Sequence, residues 1–130
     1  MKTLLWLDDV RDPYINKEGK VPEGGPYEIH WVPHYNGFVN WIKKNGLPDV
    51  ISFDHDISPE HYTPRRFWDD YQKSKEYQEK VSKFYRHKTG LDCAKWLVNY
   101  CMDNGVYLPT TYVHSANPPG ADNIAGLLSN

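Results

Sequence analysis

Residues 4–9 read LLWLDD, four apolar residues that run directly into two aspartates. Residues 50–56, VISFDHD, repeat this arrangement, and residues 111–115, TYVHS, lead into a histidine and a serine. Residues 27–32 are a fourth run with the composition of a strand. Short continuous apolar runs are typical of strands that are buried on both faces of a parallel sheet. The sequence therefore predicts four short strands, three of which end in polar residues.

Helical stretches lie between the predicted strands. Two of them place apolar side chains at positions i, i+3, i+4 and i+7, which share one face of a helix. These positions are Tyr35, Phe38, Val39 and Ile42 in the first stretch and Ala94, Leu97, Val98 and Cys101 in the second. Gly46 and Gly105 are placed to end these helices, and Thr89 with Asp92 predicts a capping box before the second. A last short helix is expected from Asp122 to Leu128.

Alternating strands and helices predict an α/β fold with right-handed crossovers. The expected architecture has three layers, a short and mostly parallel sheet of about four strands with helices on both faces. A chain of 130 residues is expected to form one domain, residues 1–130.

Two segments interrupt the alternation. Residues 11–26 contain three prolines and three glycines, so a regular helix is not expected there. Residues 60–88 form a long insertion after the third strand, with eight Lys or Arg against five Asp or Glu. We expect this insertion to be helical, either as a solvated helix or as a lid over a ligand.

Composition excludes few functional classes. The net charge of −2 argues neither for nor against nucleic acid as a partner of the whole protein. Cys93 and Cys101 fall in one predicted helix, where eight residues separate their Cα atoms by about 12 Å, too far for a disulfide. No run of residues resembles a signal peptide or a membrane span. These features predict a cytoplasmic protein that does not bind membranes.

The aspartates that follow the strands are the main candidate functional residues. Because the carboxyl ends of parallel strands meet at one edge of a sheet, Asp8, Asp9 and Asp54 are expected to lie together. Carboxylates this close repel one another unless a hard cation is bound, and Mg²⁺ or Mn²⁺ suits oxygen ligands. Asp56 is predicted as a fourth ligand, although alternation along the chain could turn it away. The alternative for each aspartate is a helix cap or a turn residue.

Two histidines adjoin the predicted acidic site. His55 and His114 each follow a strand end, and imidazole titrates near neutral pH, which suits general acid–base catalysis. The alternative is a packed or surface histidine, the interpretation given to His30, His34, His61 and His87.

Anion-binding groups are predicted beside the same site. Arg11 is expected either to bind an anionic ligand or to pair with Asp8 or Asp12. Residues 114–120, HSANPPG, predict a rigid turn whose free N–H groups, with Ser115 and Asn117, would hold a phosphate. The alternative is a plain connection rich in proline and glycine.

The set of strand-end residues resembles response-regulator receiver domains. In that family the acidic pair and the aspartate after the third strand hold Mg²⁺, that aspartate accepts a phosphoryl group, and a Ser or Thr after the fourth strand contacts it. By this resemblance the matching residues are Asp8, Asp9, Asp54 and Ser115. The sequence departs from ordinary receivers in its Asp-His-Asp motif, in its insertion, and in having no fifth strand with the receiver lysine.

Those departures resemble a divergent branch, the cyclic-phosphate-processing receiver-like family of bacteria and phages. The matching segments are residues 5–13 (LWLDDVRDP), 53–56 (FDHD), 89–92 (TGLD) and 114–120 (HSANPPG). The resemblance implies a Rossmann-like receiver fold and activity on cyclic phosphates of nucleotides or RNA ends. It also implies that Thr89 contacts the substrate.

Three functional hypotheses follow. The first is a metal-dependent phosphoesterase with Asp54, His55 and His114 in catalysis, and with a lid carrying Arg65, Arg66, Phe67 and Trp68. The second is a non-catalytic receiver-like module that binds a nucleotide or a protein partner. The third, an RNA-binding adaptor acting through the insertion, is weaker because the charge excess there is small.

Overall fold

A computed structural model describes residues 1–14 and 21–129. Its strands are β1 (Lys2–Leu7), β2 (Tyr27–Val32), β3 (Val50–Phe53) and β4 (Thr110–Val113). Its helices are α1 (Tyr35–Asn45), α2 (Tyr71–Val81), α3 (Gly90–Asn104) and α4 (Pro118–Leu128). Three short 3₁₀ turns lie at Pro59–His61, Arg65–Phe67 and Ser82–Phe84.

The four strands form one sheet in the order β2-β1-β3-β4, and every pair is parallel. Leu7 lies level with Val32 and Phe53, and Phe53 lies level with Val113. The residues that follow these strands therefore emerge side by side at one edge. The predicted α/β fold with a short parallel sheet is confirmed.

One face of the sheet carries the main core. Leu5, Leu7, Ile51 and Phe53 pack in a single cluster with buried residues of α1, α3 and α4. These are Phe38, Val39 and Ile42 of α1, Cys93, Ala94, Leu97 and Cys101 of α3, and Ile124 of α4.

The opposite face holds a smaller cluster. Leu4, Trp6 and Val50 are buried there, and Val21, Tyr27 and Ile29 pack against them. Helices were expected on both faces, but among the described residues the hydrophobic side chains packed on this cluster come from β2 and from Val21 before it, and none comes from a helix. The prediction that residues 11–26 contain no regular helix falls partly on residues 15–20, which lie outside the described residues.

The predicted helix ends are largely confirmed. Gly46 and Gly105 follow α1 and α3, and both hydrogen bonds of the Thr89–Asp92 capping box are present. The prediction for α4 was wrong at its start, since the helix begins at Pro118 and not at Asp122. The Asn117 side chain accepts from the Gly120 N–H, and proline is favoured in the first helical position.

The insertion packs against the rest of the protein. Ser74 and Gln78 of α2 are buried, and the Tyr71 hydroxyl donates to Asp122 of α4 over 2.6 Å. Its other residues include many exposed charges. Helix α2 of the insertion thus has one buried side. It is intermediate between the two forms that the sequence allowed, a solvated helix and a lid over a ligand. Among the described residues, no helix is long and apolar enough to cross a membrane.

Candidate active site

Asp8 is the fully buried carboxylate at the end of β1. Its Oδ1 accepts from the N–H groups of Val10 (2.9 Å) and Arg11 (2.8 Å), and its Oδ2 lies 3.0 Å from His114 Nε2. Burial by itself would raise the pKa of Asp8, but these hydrogen bonds outweigh it and lower that pKa. The neighbouring N–H groups and the distant His114 together therefore hold Asp8 in one orientation and favour its charged form.

Asp9 and Asp54 complete an acidic cluster with Asp8. One carboxylate oxygen from each residue lies within 4.8 Å of the other two. Burial, followed by the charges of Asp8 and Asp56, raises the pKa of Asp54 to about 7. Burial also raises the pKa of Asp9, against the hydrogen bond that Tyr62 donates over 2.8–2.9 Å.

This cluster fits a divalent cation. Three convergent carboxylate oxygens form a donor set of the kind that Mg²⁺ and Mn²⁺ prefer. Burial is the main cause of the raised pKa of Asp54, the charges of Asp8 and Asp56 add to it, and a bound cation would relieve that repulsion. The sequence prediction that Asp8, Asp9 and Asp54 lie together is thus matched by the geometry.

Asp56 does not belong to this cluster. Asn117 Nδ2 donates to both of its oxygens (3.0 and 3.3 Å), and His55 Nδ1 lies 2.7 Å from Oδ1. The strand ends at Phe53 and the chain then bends, which carries Asp56 towards the start of α4. The geometry does not support Asp56 as a fourth metal ligand.

Both candidate histidines are buried, with their ring nitrogens engaged. His55 Nδ1 is bound by Asp56, and its Nε2 lies 3.1 Å from Gln78 Nε2. His114 Nδ1 lies 2.6 Å from Ser52 Oγ, its Nε2 contacts Asp8, and its ring stacks on Trp6 at 3.8 Å. Neither ring lines the pocket that contains Asp54. Each ring contacts a carboxylate, His55 that of Asp56 and His114 that of Asp8, and the acid–base roles of the two histidines stay a prediction.

A pocket of about 200 Å³ opens beside the acidic cluster. Asp54, Asp56 and Arg11 are the charged residues that line it, and the insertion supplies one wall. The full lining is Val10, Arg11, Asp54, Asp56, Tyr62, Thr63, Trp68, Ser74, Ala116, Asn117 and Pro118. The insertion thus takes part in the site, as the lid hypothesis required, although Arg65, Arg66 and Phe67 do not line the pocket.

The residues predicted to bind an anion differ in their position and contacts. Arg11 donates to the His114 carbonyl (3.1 Å) and lies 3.6 Å from Asp8 Oδ2, so the expected ion pair is present at the pocket wall. Ser115 hydrogen bonds to Asp54 and accepts from the Asn117 N–H (3.1 Å). Thr89 caps α3 through Asp92 and lies outside this pocket.

Only some of the N–H groups in residues 114–120 that were expected to bind a phosphate are available for one. Two of these residues are prolines without an N–H, and the N–H groups of Asn117 and Gly120 are already bound by Ser115 and Asn117. The turn therefore uses these donors to build the start of α4.

Several residues of the site were not identified from the sequence. Tyr62 and Gln78 lie in the insertion, where no periodic pattern marks them. Ser52 does carry a signal, because it is a polar residue within the apolar strand β3, and its hydroxyl contacts His114.

The chain matches the cyclic-phosphate processing Receiver domain family over residues 3–130. No curated protein and no solved structure was found to match it.

Proposed function

The chain belongs to the family of cyclic-phosphate processing receiver domains, and on that basis we propose that it is a metal-dependent phosphoesterase. Its proposed substrates are cyclic phosphates of nucleotides or RNA ends. The observation that carries the proposal is the position of Asp54, which belongs both to the acidic cluster and to the lining of the pocket.

Asp8, Asp9 and Asp54 would hold Mg²⁺ or Mn²⁺. Such a cation, when bound, would polarise a phosphoryl oxygen and lower the pKa of a coordinated water. His114 fixes the Asp8 carboxylate from one side, and Tyr62 of the insertion fixes Asp9 from another. Partners that orient metal-binding carboxylates in this way strengthen such sites.

Asp56 is our candidate for the proton acceptor. It lines the pocket beside Asp54, and donors on Asn117 and His55 hold its carboxylate in place. A carboxylate has about four acceptor positions, so these bonds leave it able to accept from a water in the pocket. Arg11 and Ser115 would offset charge on the phosphoryl oxygens.

A non-catalytic module that binds a nucleotide or a protein partner is the second candidate. It is favoured by one observation, the engagement of both histidines in internal hydrogen bonds. Under this alternative a bound cyclic nucleotide would be recovered chemically unchanged.

The test is hydrolysis of 2′,3′-cyclic and 3′,5′-cyclic nucleotides, and of RNA that ends in a cyclic phosphate, with Mg²⁺, Mn²⁺ or EDTA. We expect turnover that requires metal, that is lost in Asp54→Asn, and that falls about 100-fold or more in Asp56→Asn. Asp103→Asn, at an exposed position of α3, is the matched control and should keep full activity. Absence of turnover with every metal, in a folded protein, would reject the phosphoesterase in favour of the binding module.

A further inference from the structure

Trp68 lines the pocket that also contains the buried carboxylates of Asp54 and Asp56. Its side chain is 60% exposed, an unusual position for the largest aromatic residue. Val10, which is 68% exposed, and Pro118 line the same pocket from other parts of the chain. The pocket therefore combines buried carboxylates with exposed apolar side chains.

The Trp68 ring is held in a defined orientation. Its Nε1 donates to the Thr63 carbonyl over 2.8 Å, and the Arg65 guanidinium lies 5.3 Å from the ring centroid. Thr63 itself lines the pocket. An exposed ring that is already ordered loses little conformational freedom when a flat ligand stacks on it.

We propose that Trp68 is the binding platform for a planar aromatic group carried by the phosphate ester that reaches Asp54. This inference rests on the proposed function and makes it more specific. Such a platform would favour the binding of nucleoside phosphates over that of aliphatic phosphate esters such as those of glycerol.

The size and charge of the pocket support this assignment. At about 200 Å³ the pocket is smaller than the roughly 300–1,000 Å³ of sites that enclose a whole small molecule. The phosphoryl group and its nearest carbons would fill it, which leaves an attached base beside the exposed Trp68 ring. Arg65 adds positive charge next to the stack, which suits an anionic ligand.

The test measures equilibrium binding of two compounds that cannot be hydrolysed as cyclic phosphates, adenosine 3′-monophosphate and glycerol 2-phosphate. Calorimetric titrations in Mg²⁺ would compare the unmodified protein, Trp68→Leu and Phe84→Leu. Phe84 is the matched control, since it is an exposed aromatic residue of the same insertion and lies outside the pocket.

We expect the unmodified protein to bind the adenosine compound about tenfold more tightly than the glycerol compound. Trp68→Leu should raise the Kd of the adenosine compound by about tenfold and leave that of the glycerol compound unchanged. Phe84→Leu should change neither. The inference is overturned if Trp68→Leu weakens both compounds equally, if it weakens neither, or if neither compound binds the unmodified protein.

The outcomes separate this inference from the proposed function. Base-dependent binding that requires Trp68, in a protein without turnover, supports the platform and rejects the phosphoesterase. Equal hydrolysis of glycerol and nucleoside cyclic phosphates supports the phosphoesterase and rejects the platform.

Discussion

Asp54 shows how a tertiary environment changes a single residue. An aspartate in water is charged above about pH 4. At the end of β3 it is 5% exposed and faces Asp8 and Asp56, so its pKa rises to about 7. Between about pH 4 and pH 7, the folded protein without metal therefore holds a proton on Asp54 that the unfolded chain has already released.

This shift predicts how stability depends on pH in EDTA. Because the folded state binds the Asp54 proton more tightly, the stability gained from that proton is fully present below about pH 4. It is lost as the pH rises to about 7, which would lower the free energy of unfolding by a few kcal/mol. Asp54→Asn should be more stable than the unmodified protein at pH 8 and should depend less on pH between 4 and 7. Urea denaturation in EDTA over this range measures both effects.

Asp103→Asn serves as the control and should keep the pH dependence of the unmodified protein. An equally steep loss of stability in Asp54→Asn would show that other groups are responsible.

At the scale of elements, the start of α4 is tied to the loop after β3 and, through it, to α2. Asn117 Oδ1 accepts from Gly120 N–H, so the Asn117 amide nitrogen donates to Asp56. Asp56 accepts from His55 Nδ1, which leaves His55 Nε2 to accept from Gln78 of α2. This chain of hydrogen bonds joins the insertion, the β3 loop and α4 around the pocket.

Gly120 allows α4 to approach this loop, and its replacement provides a test. A Cβ at position 120 would overlap the His55 ring, whereas a Cβ at Gly126 of the same helix would meet no atom within 4 Å. Gly120→Ala should therefore lower the free energy of unfolding by roughly 1–3 kcal/mol. Gly126→Ala should raise it by roughly 0.5–1 kcal/mol, because alanine is the better helix former. Denaturation of the two variants measures these opposite effects, and a neutral Gly120→Ala would contradict the tight packing of His55.

At the scale of the whole molecule, the strand order brings β1 and β4 to either side of β3. The residues that follow these three strands thereby meet at one edge although they are far apart in the sequence. They are Asp8 and Asp9, Asp54, and His114 with Ser115. The core of α1, α3 and α4 fixes this edge from one face. Trp6 reaches it from the other face, where its ring stacks on His114.

Metal binding should therefore stabilise the whole fold. A ligand that binds only the folded state adds about 2.7 kcal/mol when present at 100 times its Kd. We expect saturating Mg²⁺ or Mn²⁺ at pH 8 to raise the Tm by several degrees relative to EDTA, and Asp54→Asn to lose most of this increase. Thermal unfolding followed by circular dichroism provides the measurement. An unchanged Tm at every metal concentration would argue against a cation at the acidic cluster.

The sequence by itself predicted the strands, the boundaries of α1 and α3, and the grouping of Asp8, Asp9 and Asp54. These features depend on local patterns, namely apolar runs, helical spacing and capping residues, together with the rule that parallel strands share one carboxyl edge.

Only the tertiary structure decided the directions of the side chains beyond the strand ends. Asp56 lies against Asn117, and His114 contacts Trp6 and Asp8, because residues distant in the sequence supply these partners. The insertion became a wall of the pocket for the same reason. Its position depends on packing across α2 and α4, and no periodicity within residues 60–88 contains that information.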